Sequence, residues 1–331
     1  MNREIIRIVI AFIISFFCTY YLVPLCKKLA IKLKFIDVPD GIIKRHTHPI
    51  PYLGGVAVYI GFLIAFIITF PVLNNIALLL AGATFLLFVG LADDFIVMKS
   101  HQKFIGQAIA AICFLKTEFC LKDQFFSNYW NVIISFFWIM TVINAFNLVD
   151  VMDGLATLLA TCAATTFLLL ALYFNLYDVA LLLSPFIGAL LAFFAYNYPP
   201  ASIYLGDAGA LFIGGFLATI PFLFNWSSYC AYGYFTAVLV LAIPLLEVGM
   251  LILIRTYKKI PFYCASPDHF SLYLLKKGWS KKSILLYVLT ISLFLGLISF
   301  LFVTQLLTSK QLVLIVSIAL VSWSLILFKK S

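Results

Sequence analysis

The sequence predicts an all-α polytopic integral membrane protein. About eleven transmembrane helices form one domain, residues 1–331, with the N-terminus outside and the C-terminus in the cytoplasm. Composition is the first reason: the chain is 64% hydrophobic and 11% charged, with a mean hydropathy of +1.12, whereas a soluble domain carries about a quarter charged residues. Run length is the second, because stretches long enough to cross a bilayer, about 20 residues, recur along the whole chain. The third is where the positive charge falls. With the N-terminus outside, 17 of the 22 basic residues lie on one side, and the positive-inside rule makes that side cytoplasmic.

Taken in order, the first span covers roughly 5–25; it is too long for a signal-peptide core and lacks a small-residue cleavage site. A cytoplasmic loop at about 26–52 carries Lys27, Lys28, Lys32, Lys34, Lys44 and Arg45. Spans at 53–73 and 76–92 lead to a loop at 93–103 with Lys99 and Lys103. Spans at 104–121 and 129–145 lead to a short loop at 146–154, and spans at 155–175 and 178–196 to another at 197–209. Spans at 210–226 and 232–254 precede a long loop at 255–282, rich in lysine, and spans at 283–305 and 310–328 complete the set. The net charge of +9 is thus mostly topology, which removes the reason to read a nucleic-acid binder. The seven cysteines form no CxxC pair and read as apolar packing residues, neither a disulfide framework nor a metal site.

The same alternation sorts the acids. Asp37, Asp40, Asp93, Asp94, Asp150, Asp153, Asp207 and Asp268 all fall at cytoplasmic span ends or in cytoplasmic loops. An aspartate there is often only a helix cap, and for Asp37, Asp40 and Asp268 that reading is at least as good as a functional one. The other five sit in short apolar surroundings: "GLADDF" (90–95), "NLVDVMDG" (147–154) and "YLGDAGA" (204–210). Carboxylates near a bilayer need water, a cation or a partner, and adjacent Asp93 and Asp94 repel each other. A divalent ion meets both needs, and carboxylate and amide oxygens suit Mg²⁺, with Mn²⁺ the alternative. Asn144, Asn147, Asp150 and Asp153 recur every third residue, a spacing that drifts round a straight helix, so all four cannot point one way. Glu247, inside the ninth span and eight residues before Arg255, reads as a structural pair or a pocket wall.

Two basic loops face this acidic floor. "DVPDGIIKRHTHPIPYLGG" (37–55) holds Lys44, Arg45 and His46 within a Pro/Gly framework, and the 255–282 loop holds His269. Cations opposite carboxylates and metal fit a diphosphate-bearing substrate. Lys27, Lys28, Lys281 and Lys282 read as interfacial anchors or anionic-lipid contacts.

In their order here, "GLADDF", "NAFNLVDVMDGLA", "YLGDAGALFIGG" and "DVPDGIIKRHTHPIPYLGG" resemble the motifs of the polyprenyl-phosphate N-acetylhexosamine-1-phosphate transferases, over about 37–280. The resemblance implies transfer of HexNAc-1-phosphate, GlcNAc-1-phosphate the expected group, from a UDP-sugar to undecaprenyl phosphate. The products are UMP and the lipid diphosphate sugar that starts a surface polysaccharide such as O-antigen or capsule. It implies a bacterial inner-membrane enzyme working at the cytoplasmic leaflet with Mg²⁺, without nucleic acid, with a homodimer an allowed assembly. It assigns Asp93 and Asp94 to a catalytic acid pair, Asn147 and Asp207 to the metal, and Asp150 and Asp153 to the nucleotide end. Lys44, Arg45, His46 and His269 are the remaining substrate contacts. Two departures stand out. Ser271 and Leu272 occupy places where family members carry further histidines, leaving Lys276 and Lys277 as substitutes. "HPIPYLGG" replaces the Thr-Pro-Thr-Met-Gly-Gly stretch of the pentapeptide translocase, which favours a surface-polysaccharide initiator over phospho-MurNAc-pentapeptide transfer. A cation-coupled transporter is the rival of another class; it predicts inverted repeats, and the sequence shows no such symmetry.

Overall fold

The structure, a computed structural model, describes residues 3–37, 49–70, 76–96, 98–116, 119–121, 127–261 and 266–328. The helices in chain order are α1 (Arg3–Lys32), α2 (Gly54–Thr69), α3 (Ile76–Ile96), α4 (Ser100–Lys116), α5 (Asn128–Val149), α6 (Leu155–Tyr173) and α7 (Tyr177–Asn197). They continue with α8 (Gly206–Thr219), α9 (Trp226–Tyr229), α10 (Phe235–Val240), α11 (Ala242–Tyr257), α12 (Phe270–Lys276), α13 (Lys281–Val303) and α14 (Ser309–Phe328). Among the described residues, seven helical stretches are long and apolar enough to cross a membrane, and Gly54–Thr69 and Ser309–Ile318 are shorter apolar ones. The protein is an all-α, multi-pass membrane protein. Its outer surface carries Tyr21, Ile67, Phe88, Leu253 and Leu286, as lipid contact allows.

The bundle is organised on α8, which packs against α2, α3 and α5, while α7 packs against α1, α2 and α6. Every residue of α8 from Ala208 to Thr219 is buried; a helix that is apolar all round belongs in a core. Phe212 and Phe216 mesh there with Phe62 and Phe186, and the Phe186 and Phe216 rings stack at 4.2 Å. In lipid the hydrophobic effect does little to separate core from surface, so close packing of small residues carries much of the association. A Cβ on Gly90 of α3 would lie 2.4 Å from the Ala208 Cα, and one on Gly55 of α2 would lie 2.3 Å from the Gly209 Cα. These contacts set how near the ends of α2 and α3 come to the start of α8.

The structure departs from the sequence-based expectation at several boundaries. The ninth span is broken at Leu241, between α10 and α11. Pro244 explains the break, since it has no N–H to offer the Val240 carbonyl and its ring crowds that carbonyl. Pro221 likewise ends α8 in a 3₁₀ turn, Ile220–Leu223. Asp93 and Asp94, expected at the head of a loop, lie in the last turns of α3. The 255–282 loop contains α12. Two short strands, β1 (Ile36–Asp37) and β2 (Ile50–Pro51), pair antiparallel, with Ile36 opposite Pro51.

Gly90→Val should destabilise the protein by about 1–3 kcal/mol through overpacking. Gly249→Ala, where nothing among the described residues lies within 4 Å of the added Cβ, should hold stability or raise it by up to about 1 kcal/mol through helix propensity. Thermal unfolding of both variants in detergent, read by fluorescence, checks the contrast.

Candidate active site

The start of α8 needs its first N–H groups satisfied, and the preceding residue, Leu205, has no side-chain acceptor for them. Asp94 supplies it from another helix: Oδ1 accepts the Asp207 N–H at 2.9 Å and Oδ2 the Ala208 N–H at 3.0 Å. The carboxylate also meets the positive end of the α8 dipole. Gly206 is required at this junction, with φ at +76° and room for a Cβ only 2.7 Å from Asp94 Oδ2. Both Asp94 oxygens are therefore committed to holding α8.

Asp93, one residue earlier, turns elsewhere. Its Oδ1 accepts the Met98 N–H at 2.7 Å, and its Oδ2 lies 2.8 Å from Lys103 Nζ on α4. The same ammonium donates to Asp207 Oδ2 at 2.8 Å and to Asn147 Oδ1 at 3.2 Å. Asn147 Nδ2 in turn donates to Asp207 Oδ1. Four helices, α3, α4, α5 and α8, thus bring two carboxylates and an amide around one positive atom, whose side chain is 16% exposed. Lys103 was not among the residues singled out from the sequence, where it counted only towards the positive-inside tally. A signal was present: Lys103 and Gln107 stand one helical turn apart, facing Asn147 and Asn144. Asn144 Nδ2 donates to Gln107 Oε1 at 2.8 Å. These four side chains of α4 and α5 make two rungs between the helices.

The three-residue repeat is resolved by the end of the helix. Asn144 and Asn147 lie within α5, Asp150 caps its C-terminus, and Asp153 belongs to the following turn. Asp153 is buried, and its Oδ2 accepts the Ala201 N–H at 3.2 Å and Lys281 Nζ at 2.8 Å. Lys281, read as an interfacial anchor, is an ion-pair partner instead. Asn197, 3% exposed, fastens this turn: its Oδ1 accepts the Gly154 N–H at 3.0 Å and the Thr157 hydroxyl at 3.2 Å, and its Nδ2 donates to the Ile203 carbonyl at 3.0 Å. Among the described residues no hydrogen-bond donor or cation meets the Asp150 carboxylate. Burial, then the charges of Asp207, Asp94 and Asp153, push it well above the usual carboxylate range.

His269 is not joined to this cluster by any described contact. Its Nδ1 lies 2.8 Å from Glu247 Oε1, so Glu247 pairs with the histidine and not with Arg255. Arg255 Nε bonds Ser266 Oγ at 3.1 Å. Lys258 pairs with Asp268 and holds that carboxyl below its usual range. Lys44, Arg45 and His46 lie outside the described residues.

Asp93 Oδ2, Asp207 Oδ2 and Asn147 Oδ1 form a hard-oxygen set built around positive charge, chemistry that fits Mg²⁺. No group of three or more His, Cys, Asp or Glu among the described residues makes a metal cage by itself, so an ion here would share the oxygens with Lys103 and draw further ligands from water or substrate.

Fold and site together define a multi-pass membrane protein with a compensated acidic centre at one end of its bundle. Residues 76–225 match the model of glycosyl transferase family 4. The chain is 28% identical over 300 residues to a probable undecaprenyl-phosphate N-acetylglucosaminyl 1-phosphate transferase of Bacillus subtilis, across 87% of this chain and 83% of the relative. It is 32% identical over 246 residues to the phospho-N-acetylmuramoyl-pentapeptide-transferase of Listeria monocytogenes, across 65% of this chain and 75% of the relative. Against the enzyme of that name from Enterococcus hirae it is 34% identical over 154 residues, across 41% of this chain and 48% of the relative. The chain belongs to glycosyl transferase family 4. The matched segment contains Asp93, Asp94, Lys103, Asn147, Asp150, Asp153 and Asp207, and ends before Glu247 and His269.

A carboxyl raised by folding keeps a proton that the unfolded chain releases above about pH 4. Its contribution to stability is lost as pH climbs from there towards the raised value. In divalent-free buffer, Asp150→Asn should therefore gain stability over the parent as pH rises from about 5 to neutrality, and little at the acid end. Melting curves across that range check it; a difference independent of pH would contradict the assignment.

Proposed function

We propose that the protein transfers HexNAc-1-phosphate, with GlcNAc-1-phosphate first among the candidates, from UDP-HexNAc to undecaprenyl phosphate. The reaction yields undecaprenyl-diphosphate-HexNAc and UMP at the cytoplasmic face of a bacterial inner membrane, and its product primes a surface polysaccharide. The observation that carries this reading is the gathering of Asp93, Lys103, Asn147 and Asp207 around one point. Two carboxylates on one ammonium leave one negative charge over, which a bound divalent ion would reverse so that phosphate oxygens are accepted. Similarity to the B. subtilis relative over most of both chains supports the same substrate pair.

An oxygen of the lipid phosphate attacks the β-phosphorus of the donor, and the bond from that phosphorus to the bridging oxygen breaks, so UMP leaves with the electron pair. Such transfers need alignment and charge neutralisation more than covalent help from the protein. Lys103, already between two carboxylates, is the group to neutralise equatorial or leaving oxygens. Mg²⁺, when bound, would spread the remaining diphosphate charge, with Asp207, Asn147 and Asp93 as its protein ligands. Asp94 acts at one remove by keeping α8, and hence Asp207, in register. Asp93, bonded to Met98 and Lys103, bears on the lipid phosphate through that ammonium and the ion. Asp150 and Asp153, on the turn fastened by Asn197, are assigned to the nucleotide end, and Lys44, Arg45 and His46 to the donor phosphates.

Purified protein in lipid nanodiscs should convert radiolabelled UDP-GlcNAc and undecaprenyl phosphate to a labelled lipid with equimolar UMP. EDTA should stop the reaction and Mg²⁺ or Mn²⁺ restore it. Lys103→Met should lower kcat by at least about a hundredfold, the scale of losing a preorganised charge at the reacting centre. A panel including other UDP-HexNAc donors and UDP-MurNAc-pentapeptide fixes the sugar. Labelled lipid from the pentapeptide donor alone would replace this reading with the peptidoglycan one, and no product from any donor would end both.

A further inference from the structure

Glu247 is an unusual residue for its position. It lies on α11, whose neighbouring Ile252 and Leu253 are exposed as lipid-facing side chains are, yet Glu247 itself is only 4% exposed. An ionisable group buried in a membrane helix is costly unless paired, and such groups mark function by default. Its two oxygens are both spent on one short segment: Oε1 on His269 Nδ1 at 2.8 Å and Oε2 on the Phe270 N–H at 3.5 Å. His269, 8% exposed, precedes α12, and its carbonyl accepts the Tyr273 N–H at 2.9 Å to start that helix. Glu247, Lys258, Asp268, Phe270, Tyr273 and Lys276 help line a cavity of about 270 Å³ between α11 and α12.

A carboxylate on Nδ1 decides the state of an imidazole. It keeps a proton on Nδ1 and leaves Nε2 as the available nitrogen; an imidazolium set between that carboxylate and an anionic phosphate oxygen donates to both. Ser271 and Leu272, the positions after Phe270, carry no second imidazole to share the task, and Ser271 Oγ is buried with no hydrogen-bond partner among the described residues. We propose that Glu247 is a positioning residue that orients His269 so that its Nε2–H binds a phosphate oxygen of the nucleotide-sugar donor. This inference rests on the transferase reading above and adds to it a residue outside the matched family segment.

The test uses the full chain in nanodiscs with Glu247→Gln, Glu247→Ala, His269→Ala and the Glu247→Ala/His269→Ala double variant. Glu247→Gln should keep the melting temperature close to the parent and lower kcat/KM for the donor by about tenfold or more, the scale on which removal of a carboxylate behind a histidine is felt. The loss should fall mainly on KM for the donor, with kcat less affected, because the histidine holds the donor phosphate; Lys258, Asp268, Tyr273 and Lys276, which also face the cavity, are unchanged in this variant. The double variant should be no slower than His269→Ala. Parent-like kcat/KM in Glu247→Gln, or losses that multiply in the double variant, would overturn the proposal and leave the pair as a fastening of α12 to α11. A second readout does not need turnover. In protein labelled with ¹⁵N-histidine, the resonance missing from His269→Ala should shift on adding UDP-GlcNAc with Mg²⁺, and should shift less in Glu247→Gln. If no donor is turned over, the transfer reaction fails, and an unmoved resonance then sinks this inference as well, whereas a shifted one upholds it.

Discussion

A lysine ammonium set between two carboxylates and an amide is the interaction on which the site depends. Asp93 and Asp207 come from helices that pack along their length, and without Lys103 their charges would face each other at the edge of a medium that penalises bare charge. With Lys103 in place, one cation from α4 links α3, α5 and α8. The arrangement is both a structural clasp and a charge pattern suited to phosphate. That double use explains why so polar a group survives at the end of so apolar a bundle.

Precision in the cluster comes from backbone contacts. Gly90 and Gly55 let α3 and α2 approach α8 more closely than any side chain would permit, and Asp94 then fixes the first turn of α8 by accepting two of its N–H groups. Asp207, one of the donors held in that way, is thereby aimed at Lys103. Asn197 does the equivalent for the turn that carries Asp150 and Asp153. A functional group is held best by neighbours that have no freedom of their own, and here those neighbours are a helix terminus, close glycine contacts and a buried amide.

The membrane class and the apolar runs could be read directly from composition and run length, because lipid imposes a length on every crossing. The side-by-side placement of the acids could also be read, since alternating spans sends Asp93, Asp94, Asn147 and Asp207 to one end, where the structure has them in contact. Partners could not. Lys103 meets Asp207 across 104 residues and Lys281 meets Asp153 across 128, and no local pattern encodes such pairings. Glu247 and Arg255 share a helix face, but eight residues at 1.5 Å each put them about 12 Å apart, so the glutamate's partner had to come from another element. The break at Leu241 was legible in Pro244 but masked by the hydrophobicity on both sides. The two-residue strands β1 and β2 are too short for any alternation to announce them.

Lys103 and Asp207 are energetically one unit. A double-mutant cycle on unfolding free energy, with Lys103→Met, Asp207→Asn and the pair combined in mixed detergent micelles, measures this. A coupling of about 1–3 kcal/mol is expected, with the double variant less destabilised than the sum of the single ones. Additivity within about 0.5 kcal/mol would mean that the two side chains do not share a charge, and the site as described would not exist.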